Sequence, residues 1–160
     1  MPIHAEPGQA DLIDALKKRS ERLMGLRAID FACGSGAFLA SGYRHIVQEF
    51  WRIQASLAAL QAKTKRAEFD LLSAADVVAQ ARELPRCIYG VDILPQAVEI
   101  AKLTIWLRSA RKDEKVLDLS ANIIAADSLA LPDIYAQIGQ RAASFDLVVG
   151  NPPWGGSRTK

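Results

Sequence analysis

The sequence has little cysteine, little net charge and no long apolar run. Only two cysteines occur in 160 residues, Cys33 and Cys87, and they do not form a Cys-x-x-Cys pair. No cationic segment followed by an apolar one opens the chain, so a secretory signal is not predicted. Together these features favour a reducing, cytoplasmic setting, and no set of metal ligands is predicted.

Charge does not indicate a partner, and hydropathy argues against a membrane role. The formal net charge is +2, with 20 basic and 18 acidic residues interspersed, so electrostatics alone gives no argument for or against a nucleic acid. No apolar run approaches the roughly 18 residues needed to span a bilayer, so no membrane partner is expected. Half of the residues are hydrophobic, as in ordinary globular proteins, and the length fits one domain or part of one.

The pattern of apolar residues predicts alternating helices and strands. Periodic stretches predict helices at residues 11–24, 37–65, 67–84, 95–110 and 132–141. Short apolar runs predict strands within residues 26–32, 87–91, 121–127 and 145–151. Pro85 and Pro95 mark the end of one helix and the first turn of the next. This alternation predicts an α/β fold with a mostly parallel sheet.

The strand order 3-2-1-4 is the arrangement we expect for this sheet. Ligands of open α/β sheets bind beyond the carboxyl ends of the strands, where the winding direction reverses. In this order the reversal lies between the first and fourth strands. The two most unusual stretches of the sequence, DFACGSGAFL from Asp30 and NPPW from Asn151, follow those two strands. They should therefore meet at one place.

The glycine turn after the first strand allows a ligand to approach the backbone. Gly34 and Gly36 permit positive φ angles, and Asp30 can accept a hydrogen bond from a cation or hydroxyl group. A turn that only joins a strand to a helix explains the same residues equally well. The dinucleotide pattern G-x-G-x-x-G fails because residue 39 is leucine, and the phosphate-loop pattern is absent.

A reactive nucleophile in this turn is the poorer interpretation. The hydrolase pattern G-x-S-x-G around Ser35 would need glycine at positions 33 and 37, where cysteine and alanine stand. Cys33 has no histidine or cysteine near it in sequence, so we interpret it as a small packed residue.

Two acidic residues follow the next strands. Asp92 stands where an acid can accept both hydroxyls of a ribose, although a role near the start of the following helix is the alternative. Asp127 stands at the end of the third strand, where a carboxylate could receive an adenine amino group. Capping of the next turn is equally plausible for Asp127.

The run Asn-Pro-Pro-Trp is the most specific signal. The two prolines fix the backbone, so the Asn151 side chain and the Pro152 carbonyl are held in place as two acceptors. Two acceptors on one aryl amine favour its reactive, pyramidal form and orient it toward an electrophile. Trp154 offers a face for stacking on an extruded base, or it packs as an ordinary loop residue.

These stretches resemble the successive motifs of S-adenosylmethionine-dependent DNA adenine-N6 methyltransferases of the restriction-modification and phage-defence type. The quoted motifs are DFACGSGAFL, GVDILPQAVEIA, AADSL and NPPW, which together span about residues 27 to 156. The resemblance implies a Rossmann-like methyltransferase fold, S-adenosylmethionine as cofactor, and DNA with a flipped adenine as partner. Cofactor-binding residues implied by it are Asp30, Ala32, Gly34, Gly36, Asp92, Ile93, Asp127 and Ser128. Residues implied to hold the target base are Asn151, Pro152, Pro153 and Trp154.

The resemblance also implies that only part of the family's fold is present. Residues 1–26 are expected to be an N-terminal helical segment, and residues 27–160 the cofactor-binding half of the methyltransferase domain, without a target-recognition region. The remaining half or another subunit is then an expected partner. Other amino-group methyltransferases, acting on ribosomal RNA guanine or on protein glutamine, share the Asn-Pro-Pro-aromatic element and stay as alternatives. A non-catalytic remnant or partner subunit is the alternative from a different class.

Overall fold

The computed structural model describes residues 8–64, 73–110, 117–130, 137–138 and 144–152. The chain divides into two compact units. The first contains residues 1–25 and 45–84, and the second contains residues 26–44 and 85–160. The predicted boundary at residue 26 stays a prediction.

The first unit is helical. It contains α1 (Gln9–Met24), residues 45–64 of α2 (Ala37–Thr64) and α3 (Ala74–Glu83). The α3 helix begins at a capping box, in which Ser73 and Asp76 each bind the other's backbone N–H. The core of this unit is an apolar cluster of residues at helical spacing on α1 and α2, namely Ile13, Leu16, Leu23, Ile53, Leu57 and Leu60.

The second unit is built on a parallel sheet. Its strands are β1 (Ala28–Asp30), β2 (Ile88–Asp92), β3 (Ile123–Ala125) and β4 (Leu147–Val149), in the order β3-β2-β1-β4. A 3₁₀ turn (Leu84–Cys87) precedes β2, and α4 (Pro95–Ser109) follows it. Asp30 is in register with Gly90 on β2 and with Val149 on β4. The predicted α/β fold and its 3-2-1-4 strand order are confirmed.

Apolar side chains hold this sheet together. Ile29 on β1 and Val91 on β2 are fully buried in one cluster, as expected for strands covered on both faces. Phe145 packs edge-on against Phe31 and Tyr89, with ring centroids 6.1 and 5.5 Å apart. Such aromatic pairs add to the free energy gained from burial alone. This packing fixes the segment that leads into β4.

Most predicted elements are present with small differences at their ends. The helix predicted over residues 67–84 is seen from Ala74 to Glu83, with Ser73 as its N-cap and a 3₁₀ turn after it, and residues 67–72 lie outside the described residues. The strand predicted within 26–32 ends at Asp30, because the loop that carries Gly34 and Gly36 begins there. The helix predicted at 132–141 lies outside the described residues apart from residues 137 and 138. None of the described helices is long and apolar enough to cross a membrane.

Candidate functional site

The carboxyl ends of the four strands lie at one edge of the sheet. Asp30 is the last residue of β1, Asp92 is the last residue of β2, and Asn151 follows β4 by two residues. Because β4 pairs with the side of β1 opposite to β2, the winding direction reverses between β1 and β4. The sheet therefore places the glycine loop and the Asn-Pro segment on either side of the reversal, where ligands bind in such folds.

The glycine loop is tied to both central strands by hydrogen bonds. The Ala32 N–H donates to Asp30 Oδ1 at 2.9 Å, and the Gly34 N–H donates to Asp92 Oδ2 at 2.8 Å. The Cys33 N–H donates to the Val91 carbonyl at 2.9 Å, which links the loop to β2 beyond the end of β1. The loop is thus held through its own backbone N–H groups, so these hydrogen bonds do not depend on its side chains.

Gly36 is required by close packing on α4. Its φ is +85°, and a β-carbon at this position would lie 3.0 Å from both Cα and Cβ of Ala101. A β-carbon at Gly34, by contrast, would meet nothing within 4 Å. The backbone at Gly34 therefore borders open space, as close approach by a ligand requires.

Asp30 carries a buried oxygen that has no partner among the described residues. The side chain is 1% exposed, Oδ1 accepts the Ala32 N–H, and Oδ2 accepts no hydrogen bond. Burial raises the pKa of Asp30, the Ala32 N–H opposes this rise, and the negative charge of Asp92 adds to it. An unsatisfied buried oxygen of this kind is costly unless a donor binds it. The ammonium group of an amino-acid-like cofactor fits this position.

Gly150 brings the segment before Asn151 against Asp30. Its backbone φ is +152°, an angle that residues with a side chain rarely adopt. A β-carbon at this position would lie 2.5 Å from Asp30 Oδ1. The Asp30 carboxyl therefore occupies the space that a side chain at residue 150 would need. Asn151 and Pro152, which follow, are exposed. The sheet thus brings the segment that carries Asn151 to the end of β1, where Asp30 lies, whereas Pro153 and Trp154 lie outside the described residues.

Asp92 and Asp127 both bind the backbone of their own turns. Asp92 Oδ1 accepts the Leu94 N–H at 2.9 Å, and Asp127 Oδ1 accepts the Leu129 N–H at 3.0 Å. The turn-forming alternative considered for each is therefore present. Asp92 can still accept hydrogen bonds from a ligand, because each carboxylate oxygen can accept a second hydrogen bond. The end of β3 is linked to the end of β2, because the Ala126 N–H donates to the Asp92 carbonyl at 2.8 Å.

The remaining residues of the predicted cofactor site differ in exposure. Ile93, next to Asp92, is 65% exposed and offers an apolar surface at the sheet edge. Ser128 is half-buried in the turn that Asp127 begins. Cys33 is buried, and its burial together with the Asp30 and Asp92 carboxylates raises its thiol pKa to about 12. It is the packed residue predicted from the sequence.

Two contributors to the site were not predicted. Gly150 was not singled out, although a glycine directly before Asn-Pro-Pro is a signal that could have been used. Leu94, whose N–H fixes the Asp92 carboxylate, carries no signal in its side chain.

One comparison with known proteins gives a match. Residues 86–160 match the family model described as Eco57I restriction-modification methylase. No curated protein and no solved structure matches. The matched segment begins just before β2 and includes Asp92, Asp127 and the Asn-Pro-Pro-Trp run, whereas the glycine loop lies outside it.

The fold is an α/β arrangement of incomplete Rossmann-like topology, and the strand-end residues lie at the reversal of its sheet, where ligands bind in such folds. The family match supports a restriction-modification methyltransferase. Methyltransferases usually take S-adenosylmethionine as donor.

Proposed function

We propose that this chain takes part in the transfer of a methyl group from S-adenosylmethionine to N6 of adenine in DNA. The observation that carries the proposal is the juxtaposition at one sheet reversal of a buried, unsatisfied carboxylate oxygen on Asp30 and the segment that carries Asn151. The match of residues 86–160 to a restriction-modification methylase family supports the same function. A DNA substrate would place the protein in the cytoplasm.

The cofactor would be held along the ends of β1, β2 and β3. Asp30 Oδ2 would accept a hydrogen bond from its ammonium group, and the open backbone at Gly34 would border its methionine part. Asp92 would accept the ribose hydroxyls in addition to its two backbone donors. Ile93 would contact the adenine ring, and Asp127 with Ser128 would bind its polar edge. Charge favours this arrangement, because the Asp30 and Asp92 carboxylates would lie near the cationic ammonium and sulfonium groups of the cofactor.

The target amine would be held by Asn151 and Pro152. S-adenosylmethionine, when bound, would supply an electrophilic methyl group, which would pass from its sulfur to the adenine nitrogen as that nitrogen loses one proton to water. The Asn151 amide oxygen and the Pro152 carbonyl would each accept one N–H of the adenine amine. Two acceptors increase the electron density on the nitrogen and hold it in line with the methyl group. Trp154 would stack on the flipped base, with Pro153 keeping the turn rigid.

We also propose that a further strand pairs with β4. Within the described residues, β4 pairs with β1 on one side only. Leu147 is 46% exposed and Val148 is 60% exposed. Neighbouring residues of a strand point to opposite faces, so both faces of β4 are exposed. A continuous apolar strand is typical of a sheet interior, and exposed apolar edges of this kind are normally covered. The remaining part of the methyltransferase domain, on another segment or subunit, would cover it.

Methyl transfer to unmethylated DNA tests the function directly. The chain, with the parts of its domain that co-purify with it, is incubated with labelled S-adenosylmethionine and DNA, and the product nucleosides are separated by mass spectrometry. We expect N6-methyladenine with the parent and none with Asn151→Ala. Glu99→Gln on the outer side of α4 serves as the matched surface control and should retain the parent's product. Label in cytosine, RNA or protein glutamine, or an unchanged rate with Asn151→Ala, would contradict the proposal.

A further inference from the structure

The contact between Asp30 and Gly150 joins two parts of the site that the sequence separates by 119 residues. Asp30 ends β1 and Gly150 follows β4, and the two strands are paired with Asp30 opposite Val149. The β-carbon position of Gly150 lies 2.5 Å from Oδ1, 3.2 Å from Cγ and 3.6 Å from Oδ2 of Asp30. The backbone directly before Asn151 thus rests on the carboxyl group itself.

The same carboxyl group faces the glycine loop. Its Oδ1 accepts the Ala32 N–H, whereas its Oδ2 is buried without a hydrogen-bond partner among the described residues. One oxygen is therefore fixed by the loop, and the other has no donor among the described residues. Whatever binds Oδ2 will restrict the carboxyl group, because a buried carboxylate that is held at both oxygens loses its freedom to rotate.

We propose that Asp30 is a positioning residue for Asn151, acting through its contact with Gly150. The inference rests on the proposed function, in which the cofactor's ammonium group binds Oδ2. Binding at Oδ2 then fixes the carboxyl group, the carboxyl group fixes the Gly150 backbone, and Asn151 is held where it can meet the target amine. Binding of the methyl donor thereby restricts the motion of the target-base segment further, which couples the cofactor site to the target-base site.

Hydrogen exchange monitored by mass spectrometry tests this coupling without DNA or turnover. The parent, Asp30→Asn and Asp30→Ala are compared, each at a S-adenosylmethionine concentration that saturates it, and exchange is followed in peptides that contain Gly150 and Asn151. In the parent, the cofactor should slow exchange there by about tenfold. Asp30→Asn keeps the shape of the group and should retain this protection at a higher cofactor concentration, whereas Asp30→Ala should lose it. Equal protection in Asp30→Ala and the parent would overturn the proposal.

A thermal-unfolding cycle tests the same contact without cofactor. Gly150→Ala should lower Tm for two reasons: its backbone angle is unfavourable for alanine, and its β-carbon clashes with Asp30 Oδ1. In an Asp30→Ala background the clash is removed and the unfavourable angle remains. We expect the Tm loss caused by Gly150→Ala to be at least halved in that background. Gly42→Ala, where a β-carbon would meet only Ile88 Cδ1 at 3.9 Å, is the matched control and should give the same Tm change in both backgrounds. Additive losses for Gly150→Ala would overturn the proposal.

The two experiments separate this inference from the proposed function. A parent that binds no S-adenosylmethionine contradicts the proposed function, while the unfolding cycle still decides whether Asp30 sets the position of the Asn151 segment. A parent that binds the cofactor but shows no protection at Gly150 and Asn151 contradicts the inference and leaves the proposed function standing.

Discussion

The Asp92 carboxylate holds the glycine loop through the N–H of Gly34, at 2.8 Å across 58 residues of sequence. The same carboxylate accepts the N–H of Leu94, so one side chain connects the loop after β1 to the start of α4. Charge-assisted hydrogen bonds of this kind are stronger than neutral ones. Asp92 therefore shapes the site before any ligand is bound, in addition to the ribose contact proposed for it.

Gly36→Ala should destabilise the second unit by about 1 to 3 kcal/mol, because the new methyl group would overlap Ala101 and the φ of +85° is strained for alanine. Urea-induced unfolding gives the change in free energy. Gly42→Ala serves as the matched control, since residue 42 lies within α2 with room for a methyl group, and alanine there should be neutral or stabilising. Equal effects of the two variants would contradict the packing of Gly36 on α4.

Asp30→Asn should change the pH dependence of stability. Burial, and to a lesser degree Asp92, raises the pKa of Asp30 above its ordinary value of 3.8, so the native state binds this proton more tightly than the unfolded state does. The stability contributed by the proton is present below pH 3.8 and is lost as pH rises through the raised pKa. Asparagine does not titrate. The free energy of unfolding of the variant should therefore rise relative to the parent as pH increases from 3.8 through the raised pKa of Asp30, and a difference that is constant with pH would refute the assignment.

Both thiols should be inert in the native protein. Burial raises the pKa of Cys87 to about 11 and, with the nearby carboxylates, that of Cys33 to about 12, so almost no thiolate exists at neutral pH. We expect an aromatic disulfide reagent to titrate no thiol in the folded protein and both in denaturant. Fast reaction of one thiol in the native state would show that its environment is wrongly described.

The fold could be predicted from the sequence because its signals are local. The apolar runs at β1 and β2, the proline at the start of α4 and the glycines after β1 each act within a few residues, and together they favour one strand order. The ends of α3 differ from the prediction because a capping box at Ser73, rather than apolar periodicity, determines where that helix begins.

The position of the candidate site at the strand ends could be predicted from the sequence, but its internal contacts could not. Asp30, Asp92 and Asn151 stand at strand ends, where the topology alone brings them together. The contact of Gly150 with Asp30 depends on strand register and on a positive φ, and neither follows from periodicity. The two backbone donors to Asp92 come from Gly34 and Leu94. Every residue except proline has a main-chain N–H, so the sequence does not show which of them donate.

Calorimetric titration with S-adenosylmethionine, of the parent beside Asp92→Ala, tests the central claim most directly. Asp92→Ala removes both the anchor of the glycine loop and the proposed ribose acceptor, so affinity should fall by about 1 to 3 kcal/mol, roughly five- to 150-fold. Glu99→Gln on the surface of α4 should bind as the parent does, and circular dichroism checks that all three are folded. Saturable binding by the parent that weakens in Asp92→Ala is the predicted result. Absence of binding to a folded parent, or equal affinity in Asp92→Ala, would contradict a cofactor site at the ends of β1 and β2.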